Sequence, residues 1–392
     1  MRAVNPYTPG AGSMPPFLAG RETVLEEATF CLNNVKKGYP QQHIIYFGLR
    51  GVGKTVLLNT IEQVADSLGM YSVEIESDEE SGFTKRLIAS MVQIVKQFST
   101  KAAAKEMAQR ALSLIRSFRI TYSITDQSFS LGADGKDIES TGIYSDDLTD
   151  ILVMVGKAAE KAEASVVLFV DEMQYLSKEE LSGLSSALHR CNQKRLPILF
   201  FGAGLPVIRK AVGEAKSYGE RLYRFEEISA LDHESAAAAI VEPAKDLDVS
   251  YRADAVEEII SITGRYPFFI QAFCQIIWNE TESDTITKED VLHKKEMFFL
   301  FLDDGFFSVR YDKCSRMEKS FLTAMVKCGQ LPCTISNVAQ IMGRTVKSIS
   351  PFRGKLINKG LIYSTSHAEI DFTVPAFDGF IRRINPELTL QM

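Results

Sequence analysis

Gly48-Leu49-Arg50-Gly51-Val52-Gly53-Lys54-Thr55 lies between a short apolar run, His43 to Phe47, and a stretch with apolar residues at helical spacing, Val56, Leu57, Ile61 and Val64. The order is strand, glycine loop, helix. The octet fits G-x-x-x-x-G-K-[ST] in the setting that motif requires. Glycines here let backbone N–H groups curl round phosphate oxygens, and the helix starting at Lys54 adds its positive end. Lys54 is placed to reach the β and γ phosphates and Thr55 to offer a hydroxyl to Mg2+, with Val56 continuing the first turn. The expected ligands are ATP and Mg2+.

Val166-Val167-Leu168-Phe169-Val170-Asp171-Glu172 supplies the counterpart, an apolar run of strand length ending in two carboxylates. Asp171 is the candidate holder of the Mg2+ hydration shell, and Glu172 the candidate general base for an attacking water. Two surface acids on a solvated turn would be the plainer reading, but buried strands seldom end in paired acids. Gln174 is in reach to orient that water.

The 392 residues exceed what one core usually supports, so two or three folded units are expected. With 45% hydrophobic and 24% charged residues, the composition is that of a globular protein. A formal net charge of -6 argues against a chain that coats nucleic acid or anionic lipid over its whole surface, so any DNA contact must be local. Six cysteines are scattered with no CxxC pair and no histidine at zinc spacing, which predicts reduced thiols. The first residues lack an apolar signal region and no apolar run spans a bilayer, so a soluble, cytoplasmic protein without membrane contact is expected.

Along the chain, residues 5–17 are rich in Pro and Gly and read as an extended arm, followed by a helix over 21–37. Residues 71–76 read as a second strand and 83–118 as mostly helix. Phe118, Ile120, Tyr122 and Ile124 then alternate with polar residues, which predicts a hairpin running to Leu131, with a polar loop to Thr141. Ser145 is the expected N-cap of a helix to about Ala162, with Asp146 and Asp147 against its dipole. Helix 178–192, strand 198–201, helix 206–217 and strand 223–228 complete an alternating pattern, which implies a parallel sheet covered on both faces. After Leu231 no strand signal remains through four helices ending near Leu302, and Asp303-Asp304-Gly305 marks a boundary. The last ninety or so residues give helix, short helix, helix, two strands and a closing helix, the order of a winged helix-turn-helix. The expected division is 1–230, nucleotide-binding α/β domain; 231–304, helical lid; 305–392, winged helix.

With these pieces the chain resembles the AAA+ and STAND superfamily of ATPases, particularly prokaryotic relatives of origin-recognition and initiator proteins. The resemblance covers nearly the whole chain. Beyond the two motifs it rests on Leu18-Ala19-Gly20-Arg21-Glu22, similar to the box that borders the adenine, and on Thr263-Gly264-Arg265-Tyr266-Pro267-Phe268, similar to the lid motif. It implies an α/β P-loop NTPase with an AAA+ parallel sheet, and with Leu18 and Pro267 beside the base. Arg265 becomes a candidate sensor touching the γ-phosphate, with a plain surface arginine as the alternative. Arg221 and Arg224 are placed where an arginine finger would reach a neighbour's ATP in a homo-oligomer, Arg221 then being catalytic together with Lys54 and Glu172. The other reading pairs them with Glu220, Glu226 or Glu227. The fourth strand ends Phe201-Gly202-Ala203-Gly204, where such enzymes carry a polar sensor residue, so slow turnover is expected.

Arg344, Lys347, Arg353, Lys355 and Lys359 lie along the expected recognition helix with no acid among them, which points to double-stranded DNA. The hypothesis is an ATP-controlled DNA-associated switch. Its rival is a STAND-type signalling or defence ATPase that oligomerises and uses its winged helix to dock an effector protein. A small-molecule kinase is disfavoured, because the acid pair and helical lid point to water as acceptor.

Overall fold

The computed structural model describes residues 4–10, 12–78, 82–122, 140–366 and 368–388. Five parallel strands, β1 (His43–Phe47), β2 (Tyr71–Glu76), β3 (Val166–Asp171), β4 (Ile198–Gly204) and β5 (Tyr223–Glu227), form one sheet in the order β2-β3-β4-β1-β5. Side chains alternate across it, and both faces are buried, as βαβ crossovers dictate. On one face Ile44, Tyr46, Phe169 and Phe201 meet α1 (Glu22–Lys36) and α2 (Lys54–Ser67). Phe201 stacks on Phe169 at 5.5 Å and on Tyr46 at 6.3 Å, tying three adjacent strands. The other face packs Ile45, Leu168, Val170 and Phe200 against α3 (Phe83–Ser99), α4 (Lys105–Thr121), α5 (Tyr144–Lys161) and α6 (Lys178–Gln193). Each buried aromatic or branched side chain contributes about 1.5–3 kcal/mol, so the strand ends are firmly held. Helices α7 (Val207–Ala215) and α8 (Gly219–Leu222) lead to the edge strand β5.

This topology places β4 between β1 and β3. The glycine loop after β1 and the acid pair after β3 therefore flank the end of β4, with neighbouring strands about 4.8 Å apart.

Two expectations in this half need correction. Residues 118–121 are not the start of a hairpin but the end of α4, whose buried stripe Ala108, Ala111, Ile115 and Phe118 follows the helical period and leaves Ile120 exposed. The remainder of that expected hairpin and its loop lies outside the described residues. Ser145 is not a cap: α5 begins at Tyr144, and Asp147 reaches back to accept from Thr141 N at 2.7 Å.

The helical unit comprises α9 (His233–Lys245), α10 (Ala253–Thr263), α11 (Pro267–Glu280) and α12 (Lys288–Leu302). Contrary to the all-helical expectation it also holds a small parallel pair, β6 (Ser250–Tyr251) and β7 (Thr285–Ile286), too short to register as a periodic pattern. At Asp303-Asp304-Gly305 the chain stays helical: a π-helical turn (Asp303–Phe307) leads into α13 (Ser308–Asp312). Arg383 holds Asp303 through both carboxylate oxygens, at 2.5 and 2.7 Å.

The C-terminal unit follows as α14 (Arg316–Lys327), β8 (Cys333–Thr334), α15 (Ile335–Ile341), α16 (Val346–Asn358), β9 (Ile362–Ser364), β10 (Glu369–Phe372) and α17 (Phe377–Ile384). Its strands form an antiparallel sheet in the order β8-β10-β9. Ser315, Thr334 and Thr345 cap their helices through side-chain oxygens. One continuous core runs from the helical unit into the C-terminal unit, with Phe307 against Phe377 and Phe380 at the join.

All six cysteines are free thiols. Among the described residues no helix is long and apolar enough to cross a membrane.

Candidate nucleotide site

The loop after β1 turns sharply, with Gly51 at φ 81° and Gly53 at φ 90°, conformations that disfavour residues bearing a Cβ. A Cβ at Gly48 would meet Ile228 O at 2.0 Å, so the chain can leave the strand there only as glycine. The first amides of α2 have no intrahelical partner and face outward from the loop, a ready anion site. Lys54 Nζ donates to Gly48 O at 2.9 Å and Leu49 O at 2.8 Å. Burial pulls the Lys54 ammonium down to about 8, against the opposing pull of Glu172 and Asp171, so a neighbouring phosphate would stabilise its charged form.

Thr55 Oγ1 donates to Asp171 Oδ2 at 2.6 Å. Burial raises the Asp171 carboxyl, partly offset by that hydrogen bond. Among the described residues no three His, Cys, Asp or Glu side chains converge to hold a metal by themselves. One hydroxyl and one carboxylate are, however, a donor set suited to Mg2+, which keeps water and phosphate oxygens as its other ligands. The residues therefore fit Mg2+ bound together with a nucleotide.

Glu172 follows at φ 52°, a strained left-handed conformation for a non-glycine residue. One of its oxygens meets Arg50 Nη1 at 3.3 Å, and the other accepts from the Gln174 amide. The Gln174 carbonyl oxygen in turn accepts from Leu205 N at 3.0 Å, at the end of β4. The glycines of β4 make room: a Cβ at Gly204 would crowd Gln174 Oε1, and one at Gly202 would collide with Met173. Gln174 thus occupies the space between acid pair and β4, where the sequence lacks a polar strand residue.

A cavity of about 1220 Å³ opens over this loop. Arg50, Gly51, Val52, Gly53, Lys54, Thr55 and Val56 line one side, with Asp171 and Glu172. Leu18, Pro267, Phe268 and Leu231 supply an apolar wall. Gly48 and Leu49 line a second cavity, of about 1130 Å³, on the β5 side of the loop. Arg21, from the Leu18-Glu22 box, braces the loop by donating to Val52 O at 3.1 Å and Ser229 O at 2.7 Å. Burial lowers its guanidinium from the ordinary arginine value.

Arg265 is not brought to the cavity: it is exposed at φ 65°, and its carbonyl accepts from Leu231 N at 3.1 Å. Arg224 pairs with Glu27 at 2.8 Å and Glu226 at 3.4 Å, and Arg221 is exposed on α8. Neither lines the cavity over the acid pair, whereas Arg224 lines the second cavity beside Gly48 and Leu49.

Several lining residues carried no recognisable motif. The arm crosses the cavity mouth, with Tyr7 buried on the helical unit, Thr8 N donating to Gln271 Oε1 at 3.0 Å, and Gly12 close to the Thr55 methyl. Only its Pro and Gly content marked it. Phe306, Arg310, Lys313 and Lys359 come from beyond Asp304. The C-terminal unit also touches the loop directly, Arg50 N donating to Thr373 O at 3.1 Å, and Gly360 lying against the Arg50 guanidinium.

A parallel sheet of this order, with a glycine loop and a paired-acid strand at its C-terminal edge, defines a P-loop NTPase. Residues 18–201 match the AAA ATPase domain family. Residues 304–381 match a domain of unknown function (DUF8462). Among solved structures, the Walker-type ATPase PABY2304 of Pyrococcus abyssi is similar over 93% of this chain and 96% of its own, at 13% identity and a TM-score of 0.54. Cdc6p from Pyrobaculum aerophilum matches at 15% identity and a TM-score of 0.48, over 98% of this chain and 97% of its own. The Aeropyrum pernix Orc1 protein, solved in complex with DNA, matches at 13% identity and 0.45, over 96% of each chain. No curated protein sequence matches the chain.

Proposed function

We propose that the chain is an ATP-hydrolysing switch built from three units, residues 1–230, 231–304 and 305–392, whose last unit is a winged helix that contacts double-stranded DNA. In this reading Lys54 clamps the β and γ phosphates, Thr55 and Asp171 hold Mg2+, and Glu172 takes a proton from the attacking water once Arg50 releases it. Gln174 fixes the second carboxylate oxygen of Glu172. The helical unit closes over the base through Pro267 and Phe268, and loss of the γ-phosphate contact is what distinguishes the two states.

The observation that carries the DNA reading is the outer surface of α16. Lys347 and Lys355 are exposed on that helix, which carries no carboxylate, and Arg344 is exposed in the turn just before it, in a chain that is acidic overall. The basic row is shorter than its sequence: Arg353 donates to Ser364 Oγ on β9, and Lys359 turns inward to Glu318.

A second reading, a signalling ATPase that docks an effector protein, is favoured by the seating of the C-terminal unit on the loop through Thr373 and Gly360. Release of that contact would expose the unit to a partner. ATP turnover with and without double-stranded DNA, at low and high salt and with Glu172→Gln as the blank, separates the two. Salt-sensitive stimulation supports DNA contact, because phosphate contacts weaken steeply with salt; turnover indifferent to DNA overturns it.

A further inference from the structure

Arg310 stands on α13, beyond the ATPase domain match, yet its side chain lines the nucleotide cavity. Its guanidinium carbon lies 4.2 Å from the centre of the Phe306 ring, and Nη1 donates to Phe306 O at 2.5 Å. Phe306 stacks on Phe268 at 4.9 Å, and Phe268 N donates to Gly51 O in the glycine loop at 3.2 Å. A chain of contacts thus runs from the phosphate loop through two aromatic rings to Arg310.

The charge around Arg310 is unbalanced. Among the described residues no carboxylate lies within ion-pairing distance of it. Glu172, the acid nearest in effect, is engaged by Arg50, and Arg50 itself acts on Arg310 as a like charge. Burial, reinforced by Arg50, pulls the Arg310 guanidinium down to about 10. Two guanidinium groups and Lys54 therefore face one cavity, and a multivalent anion between them would remove the repulsion.

We propose that Arg310 contacts the γ-phosphate of the bound nucleotide and works as a pair with Arg50, so that the C-terminal unit distinguishes ATP from ADP in cis. The assignment rests on the ATP site described above and deepens it. Arg50 has two possible anions, the Glu172 carboxylate and the phosphate. A terminal phosphate held by Arg310 draws Arg50 away from Glu172 and frees that carboxylate to accept a proton. Because Arg310 lies on the helical path into α14, the same contact fixes where the C-terminal unit sits. The structure gives this role to Arg310 and not to Arg265, which points away from the cavity.

The test is equilibrium titration of the full chain, in Mg2+ buffer, with ADP and with a non-hydrolysable ATP analogue, for the native protein, Arg310→Gln, Arg310→Lys and Lys54→Ala. Arg310→Gln should weaken the analogue about tenfold or more while ADP affinity changes less than about twofold, collapsing the preference between them. Arg310→Lys, which keeps the charge and loses the fork, should fall between. Thermal melting confirms that each variant is folded, and the lysine variant stands in if the glutamine one is not. Equal weakening of both nucleotides, or an unchanged preference, overturns the γ-phosphate contact. Failure of the native protein to bind either nucleotide overturns the ATP-site reading itself, as does a Lys54→Ala variant that binds both as the native protein does, since it should weaken both nucleotides alike.

Discussion

On its sheet side the cavity offers a ligand the main-chain amides of the glycine loop, Lys54, Thr55 and the acid pair, all fixed to the ends of two parallel strands, β1 and β3, that flank β4. On the opposite side it offers Phe268, Phe306 and Arg310, carried by helices that reach the first wall through single contacts such as Phe268 N to Gly51 O. The first wall is set by backbone geometry and a core buried on both faces. The second is made of side chains whose position depends on where the helical and C-terminal units rest. Strength of binding should therefore come from the sheet wall, and discrimination between nucleotides from the helical wall.

Lys54→Ala is the severest trial of that division. It removes a half-buried cation from the sheet wall and should lower the affinity for ATP and ADP together by about 100-fold, as a lost charge-assisted contact would. Titration with a fluorescent nucleotide reads this directly, and retained affinity would move the phosphate clamp elsewhere. Phe306→Ala addresses the other wall. Loss of its stack on Phe268 and of the ring beneath Arg310 should weaken an ATP analogue about fivefold, with less effect on ADP. Should both nucleotides weaken alike, the stack holds the base and not the arginine.

The smallest expected effect concerns the stability of the sheet wall alone. Glu62 on α2 is pushed up to about 7 by burial and by the nearby Glu74 and Asp66. An acid whose folded value lies above its unfolded one binds more protons when folded, so stability falls as pH rises from about 4.5 through about 7. Glu62→Gln should raise Tm by about 2 °C above neutrality and leave it unchanged in acid, Glu62 being partly solvated. Melting curves at the two pH values test this, and nucleotide preference should stay as it was.

The sheet wall was legible in the sequence because its chemistry is local. A strand, a glycine loop and a helix are consecutive, and β1, β2 and the helices α10, α11 and α12 fall where the periodicity places them. Arg310 was not legible, because nothing in Ser308–Asp312 resembles a phosphate site; only the packing of Phe306 and Phe307 turns it inward. The same holds for Lys359, counted with the basic row of α16 until its bonds to Glu318 and to Lys313 O turn it toward the cavity rim. Residues 118–121 misled through an alternation that the longer helical stripe of α4 overrides.

From Lys288 to Asp312 the backbone is one uninterrupted helical path, about 37 Å long at the usual rise. Its middle is clamped by Arg383 on Asp303, and Arg383 also lies over Phe299, so the rod is stiffened where a hinge would otherwise form. A rod of this kind has no play to absorb. Each degree of rotation about one end of such a rod moves the other end by about 0.6 Å, so a turn of the helical unit is passed on to α13 without loss.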